Sequence, residues 1–331
     1  MKGEFNFQWH ITNLCNLKCK HCYQSDFTRS LDIDWAKIKY FADNIITTLT
    51  QWHKSTRIDI TGGEPLLKKE LFLLLEYLDH SPLVKETNII TNATLMGEDV
   101  LKRLTEFPKL KRIKISLEGL KEQSCDTIRG NGVFKKVIKA MDLLQDKGLE
   151  VVLMFTVLKT NLEEIVEIPQ FCKRHSIDGV ILERFIPLGK GNQIAEEVLD
   201  QKDYKRLIEL ILKIIPNKFE LDDFLPYKAF WIKWDKTIKI LGAKCNIGDT
   251  LCIMPDGEVF PCRRFNLSIG NLLKDSLKNI YEQTALLKEL KDKRHLKGKC
   301  SICSVSDCFG CRALAFALTG DYFAQDSQCW W

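Results

Sequence analysis

The chain has 331 residues, 45% hydrophobic and 28% charged, the composition of a globular protein with room for two domains. Lys and Arg outnumber Asp and Glu by 49 to 44, an excess too small and too dispersed for a nucleic-acid surface. Glu4, Asn6 and Gln8 interrupt any N-terminal signal sequence, and no apolar run reaches the roughly 18 residues of a membrane span, so the chain reads as cytoplasmic, with neither nucleic acid nor membrane as partner.

FNFQWHI at 5–11 reads as the first strand. Residues 34–52 then place Trp35, Ile38, Phe41, Ala42, Ile45, Ile46, Leu49 and Trp52 on one helical face, behind Asp34 as N-cap. Short β-rich runs follow at 57–61, 87–91, 112–117, 150–157 and 179–186. Helical patterns separate them near 68–79, 97–106, 133–147, 161–175 and 201–215. Six strands, each followed by a helix, predict a parallel α/β sheet that curls into a partial barrel. Chemistry in such sheets gathers at the C-terminal strand ends. CNLKCKHC (15–22), TGGEP (61–65), TNA (91–93) and SLEG (116–119) all fall there. Asn92 and Asn161 are further polar candidates for the pocket. Glu183 and Arg184, ending the sixth strand, either face the cavity or form an internal salt bridge.

The pattern breaks after Ile215. Residues 216–243 carry Pro216, Pro226 and six aromatics, and read as a connection packed against the barrel. MPDGEV (254–259) reads as a turn between two short strands, and 274–290 as helical. The expected division is therefore 1–215 for the barrel, 216–243 for the connection and 244–331 for a small cysteine-rich domain.

Thirteen cysteines need a reason, because cytosolic thiols stay reduced and clustered ones there point to metal. Cys125 and Cys172 stand alone and read as small buried hydrophobes. Cys15, Cys19 and Cys22 form one group, and eight more lie between 245 and 329. Four thiolates close a metal site, whereas three leave a position open. On a 4Fe–4S cluster that position is an iron able to bind a small molecule. A zinc site completed by His21 remains the alternative on spacing alone.

Cys15-x3-Cys19-x2-Cys22, with TGGEP some forty residues on, resembles the radical S-adenosylmethionine (SAM) enzymes, and the C-terminal cysteines resemble their SPASM extension. The resemblance implies a partial (β/α)6 TIM-like barrel followed by a SPASM domain. It implies three 4Fe–4S clusters, one binding SAM and two auxiliary. Gly62, Gly63 and Glu64 would hold the methionine amino group, the His21 backbone would touch adenine, Ser116 and Glu118 would reach the ribose, and Arg129 would pair with the SAM carboxylate. Glu118 departs from the Asp that the family often has. Cys245, then Gly257 and Cys262, match the start of the extension; Cys300, Cys303, Cys308 and Cys311 match its later part, with each inner gap one residue short, and Cys329 follows. Family topology would assign Cys245, Cys252, Cys262 and Cys311 to one auxiliary cluster and Cys300, Cys303, Cys308 and Cys329 to the other; a pair of zinc sites is the alternative.

The implied activity is that of an oxidoreductase or maturase. An electron from a flavodoxin or ferredoxin would cleave SAM to methionine and a 5′-deoxyadenosyl radical, which takes a hydrogen atom from substrate carbon. Members with this extension mostly modify peptides or proteins, and others act on tetrapyrrole side chains. A non-catalytic electron-transfer or assembly module is the third reading. The chain starts only four residues before its expected first strand, so a leader-binding domain is expected to be absent and to be supplied, where needed, by a separate protein. Sulfatase-maturing members carry a catalytic Asp after the cysteine equivalent to Cys262; Arg263 and Arg264 stand here instead, facing an acidic substrate or a nearby cluster.

Overall fold

A computed structural model describes residues 3–215, 219–234 and 238–331; Pro216, expected to break the chain, lies outside them. Strands β1 (Asn6–His10), β2 (Thr56–Thr61), β3 (Val84–Thr91), β4 (Leu110–Ser116), β5 (Glu150–Val157) and β6 (Gly179–Arg184) pair in parallel and in chain order. Alternation along each strand decides what faces where. Ile58, Ile60, Ile89, Ile113, Ile115, Leu153, Phe155, Val180 and Leu182 are buried in the core. The intervening Gln8, Asp59, Ile90, Lys114, Met154 and Ile181 line a concave inner face.

Helices cover the outer face: α1 (Trp35–Trp52), α2 (Leu71–Asp79), α3 (Glu98–Leu104), α4 (Glu122–Arg129), α5 (Val133–Leu144), α6 (Ile168–Arg174) and α7 (Gln201–Ile214). Asp34 caps α1 by accepting from the Lys37 N–H at 3.0 Å, and Ile38, Phe41, Ala42, Ile45 and Leu49 form its buried stripe. Two helical expectations change. The helix expected over 161–175 is a 3₁₀ segment, Lys159–Glu167, followed by α6; Pro169 lies in the first turn of α6, where its missing N–H does least harm. The polar segment EQSCDTIR had no helical signal, yet it forms α4, burying Cys125, Ile128 and Arg129.

Residues 216–243 are more than a connection. They carry β7 (Tyr227–Trp234) and β8 (Ile238–Lys244), an antiparallel pair added to the β6 edge. At the opposite edge β9 (Thr250–Ile253) pairs in parallel with β1, placing Cys252 beside Gln8. β10 (Glu258–Phe260) and β11 (Gly270–Asn271) follow antiparallel. The resulting order, β11-β10-β9-β1-β2-β3-β4-β5-β6-β7-β8, is an open sheet that does not close. Helices α8 (Leu277–Gln283), α9 (Ala285–Leu290), α10 (Lys299–Ile302) and α11 (Arg312–Thr319) complete the C-terminal part. Among the described residues no helix is long and apolar enough to cross a membrane.

Candidate active site

Backbone contacts fix the cysteine loop. The Gly63 N–H donates to Thr12 O and the Glu64 N–H to Leu14 O, each at 2.8 Å. A Cβ on Gly63 would stand 2.4 Å from Leu14 O, and one on Gly62 2.5 Å from Thr12 O, so only glycines let the end of β2 lie this close to the loop. On the other side the Gly191 N–H donates to Cys22 O at 2.8 Å and the Lys190 N–H to Gln24 O at 3.0 Å. Gly189 has φ +54° and carries no Cβ against Tyr23 O. The sequence reading missed this second clamp, whose only signal is LGKGN following the sixth strand.

Cys15, Cys19 and Cys22 all open into one cavity at the C-terminal ends of the strands, with Gly62, Gly63, Asn92, Ser116, Glu118 and Arg129. Backbone N–H groups already point at two of the sulfurs: Leu17 at Cys15 Sγ (3.4 Å) and Gln24 at Cys22 Sγ (3.5 Å). Asn92 Nδ2 also donates to Cys15 Sγ at 3.7 Å. Burial pushes the Cys15 thiol up to about 12 and the Cys19 thiol up to about 11, and raises Cys22. Each thiol therefore gives up a proton when a metal binds. Three convergent sulfurs with amide donors fit a cluster bound through three of its irons.

Glu118, Arg129 and His21 form a buried group. Glu118 pairs with Arg129 Nε, and His21 Nε2 lies 3.4 Å from Glu118 Oε1. Burial alone would raise the Glu118 carboxyl, but the Arg129 guanidinium, with His21 as a neighbour, outweighs it and brings it to about 2. The two side chains expected at opposite ends of SAM are thus bound to each other in this structure. Asn161 does not line the cavity; its Nδ2 donates to the carbonyls of Glu118 (3.1 Å) and Thr156 (3.0 Å), which steadies the loop after β4.

Glu64 is fully buried beneath the loop after β3. Its carboxylate accepts from Thr91 Oγ1 (2.7 Å), the Asn92 N–H (2.8 Å) and the Leu66 N–H (3.1 Å). Burial outweighs these donors and pushes its carboxyl up to about 7. A raised carboxyl contributes stability that is full below its unfolded value and is lost as pH rises through the folded value. Ionising Glu64 therefore costs about 3 kcal/mol between pH ~4.5 and ~7. Glu64→Gln has no such slope, and its amide sets a donor against the Asn92 N–H. Its stability deficit should be widest at pH 5 and narrow by about 3 kcal/mol by pH 8, read from urea midpoints.

Cys245, Cys252, Cys262 and Cys311 border a second cavity, between the β7–β8 hairpin and β9. It shares Arg184, Cys262, Arg263 and Arg264 with the first. Burial pushes Cys245 and Cys252 up to about 12 and raises Cys262; the neighbouring Cys311 and Cys262 raise Cys245 further, and Cys311 raises Cys262. The four expected ligands of the first auxiliary cluster thus border one cavity. In the other set, Cys300 accepts from the Asp326 N–H at 3.4 Å and lies near Cys329. The Cys308 thiol faces Leu225 O at 3.7 Å. Cys303 lies in the intervening loop, its carbonyl held by Lys293. Among the described residues no three His, Cys, Asp or Glu side chains are placed to hold a metal ion.

Sequence reading also missed Asp326, which joins these parts. Its buried carboxylate meets Arg184 at 2.8 Å and Lys228 at 3.6 Å, and accepts from the Cys311 N–H at 2.9 Å. Arg184 therefore anchors the C-terminal segment to β6 and is one member of an internal salt bridge, while also bordering the cavity. Glu183 pairs with Arg264 at 3.4 Å.

An open sheet whose six central strands run parallel, with three thiols beyond the end of the first and a cysteine-rich part bordering the same cavity, agrees with the architecture of a radical SAM enzyme. The chain belongs to the radical SAM superfamily, whose model matches residues 9–172, and it carries the SPASM iron–sulfur cluster-binding domain, matched at residues 245–309. It is 26% identical over 341 residues to the AdoMet-dependent heme synthase of Methanosarcina barkeri, which covers 97% of this chain and 95% of that protein. It is 26% identical over 312 residues to the antilisterial bacteriocin subtilosin biosynthesis protein AlbA of Bacillus subtilis, covering 89% of this chain and 66% of that one. Streptococcus suis SuiB bound to its precursor peptide SuiA has the same fold, with TM-score 0.74 and 19% identity over 99% of this chain and 76% of SuiB.

Proposed function

We propose that this chain is an oxidoreductase or maturase that abstracts hydrogen from a peptide or protein side chain in the cytoplasm. The carrying observation is the single space in which the CNLKCKHC thiols meet Cys262, Arg263 and Arg264 of the C-terminal part. In this reading Cys15, Cys19 and Cys22 hold a 4Fe–4S cluster; Gly62, Gly63 and Glu64 hold the methionine amino group, the His21 backbone meets adenine, Ser116 and Glu118 take the ribose, and Arg129 takes the SAM carboxylate. When bound and reduced, that cluster supplies the electron that cleaves SAM to methionine and a 5′-deoxyadenosyl radical. The buried Glu118–Arg129 pair keeps two opposite charges oriented at little reorganisation, and the inner strand faces exclude bulk water around the substrate carbon. Cys245, Cys252, Cys262 and Cys311, and separately Cys300, Cys303, Cys308 and Cys329, would hold two auxiliary clusters, which would supply a sink for the electron of the substrate radical. A flavodoxin or ferredoxin is the electron donor, with a separate leader-peptide-binding protein where the substrate has a leader.

A second reading, a tetrapyrrole side chain as substrate, is favoured by the end-to-end match with a heme synthase. The test is anaerobic reconstitution followed by iron and sulfide analysis and by 5′-deoxyadenosine measurement under dithionite. About twelve irons per chain and SAM cleavage are expected. Absence of 5′-deoxyadenosine sinks the enzymatic reading and leaves an electron-transfer module.

A further inference from the structure

Five cations line the cavity around the cysteine loop. Four have their own carboxylate: Lys114 meets Asp59 at 2.7 Å, Arg129 pairs with Glu118, Arg264 lies 3.4 Å from Glu183, and Arg184 meets Asp326 at 2.8 Å. Arg263 is the fifth. It has no carboxylate partner among the described residues, and its buried Nε has no acceptor.

Its placement is specific. The guanidinium carbon lies over the Tyr23 ring, 4.0 Å from the centroid, and Tyr23 directly follows Cys22. Stacking covers one face and fixes the plane of the group, leaving the in-plane N–H edges for a ligand. Arg263 borders both the first cavity and the second. Its charge reaches Cys22 on one side and Cys252 on the other. Close by, His10 is fully buried with neither ring nitrogen partnered; burial first and the Arg263 charge second keep it neutral. Among the described residues no carboxylate meets Arg263 at this passage.

We infer that Arg263 determines substrate specificity by anchoring a substrate carboxylate in the passage between the cysteine loop and Cys252. A planar fork held by an aromatic ring matches a carboxylate in two parallel hydrogen bonds. The ligand class is therefore a carboxylate-bearing molecule: an Asp or Glu side chain of a peptide, or an acid arm of a tetrapyrrole. This rests on the proposed function, because it takes that cavity to be where substrate meets SAM.

The test uses the full chain, reconstituted without oxygen and loaded with SAM, in equilibrium dialysis. One arm compares mesoporphyrin with its dimethyl ester. The other compares an acetylated, amidated Ala–Glu–Ala peptide with its Gln counterpart. Wild type should bind the acid of at least one pair about tenfold tighter than its neutral counterpart, and Arg263→Gln should bring that pair within roughly twofold. The arm showing the preference identifies the source of the carboxylate. Equal binding of acid and neutral probe by wild type in both arms overturns the inference. So does an undiminished preference in Arg263→Gln, which, together with lowered iron content, would make the residue a counter-ion for a cluster. Should Arg263→Gln not fold, Arg263→Lys keeps the charge and loses the fork; it should lower the preference about threefold or more, and an unchanged ratio overturns the proposal. Failure of wild type to cleave SAM sinks the proposed function, whereas SAM cleavage without acid preference sinks only this inference.

Discussion

Replacing Cys15, Cys19 and Cys22 together by alanine should remove about four irons per chain and reduce 5′-deoxyadenosine formation to background. The three sulfurs open into one cavity, and two of them face N–H donors from Leu17 and Gln24. Alanine leaves those donors without a sulfur and leaves the metal without a protein ligand on that side. The loop itself should survive, because its anchors are backbone bonds from Gly63, Glu64 and Gly191. Cys125→Ala is the control: that thiol is buried in the core on α4, so its loss should lower stability and leave the iron count unchanged. A triple variant that retains the wild-type iron count would overturn the assignment of these three ligands.

Asp326→Ala should destabilise the chain by about 3–5 kcal/mol, because it strands Arg184 and Lys228 as unpaired buried cations. It also withdraws the acceptor of the Cys311 N–H. The variant should therefore retain about four irons in the N-terminal site and lose most of the remaining eight or so. Burial would raise the Asp326 carboxyl, but Arg184 first and Lys228 second hold it well below the ordinary range. A depressed carboxyl contributes stability above its unfolded value that is lost as pH falls through the folded value. The gap between wild type and variant should thus be full at pH 7 and close only in strong acid. Urea midpoints across pH, with iron analysis at each, check both parts.

The barrel was legible because six β-rich runs are each followed by a helical pattern; the structure adds the alternation along the strands. Ile58 and Ile60 enclosing Asp59, or Ile113 and Ile115 enclosing Lys114, show which side meets the helices and which meets the cavity. The hairpin β7–β8 was not legible in the same way. In YKAFWIKW both alternating sets contain bulky apolar residues, so no single face stands out, and the pairing that makes it a strand comes from β6. Within the site, the cysteine loop is marked by its spacing, and the two glycines by their place at the end of the second strand together with the family resemblance. Asp326 could not be found so: it meets Arg184 across 142 residues of sequence, and a lone Asp near the C-terminus has no motif. Arg263 was visible as a residue but not as an unpaired one, since pairing is settled only when Asp59, Glu118, Glu183 and Asp326 are all seen to be taken.

The parallel pairing of β1 with β9 has a bearing on how the chain is made. Its partners, Gln8 and Cys252, are about 240 residues apart, so β1 enters the sheet through β2 alone and keeps its other edge bare. At a synthesis rate of roughly 5–20 residues per second, the missing strand emerges some 12–50 s later. An unpaired edge is a template for the wrong partner, and long-range pairing of this kind folds slowly. The nascent protein thus has a window in which a half-assembled barrel is exposed to aggregation, and the emergence of residues 250–253 is the event that ends it.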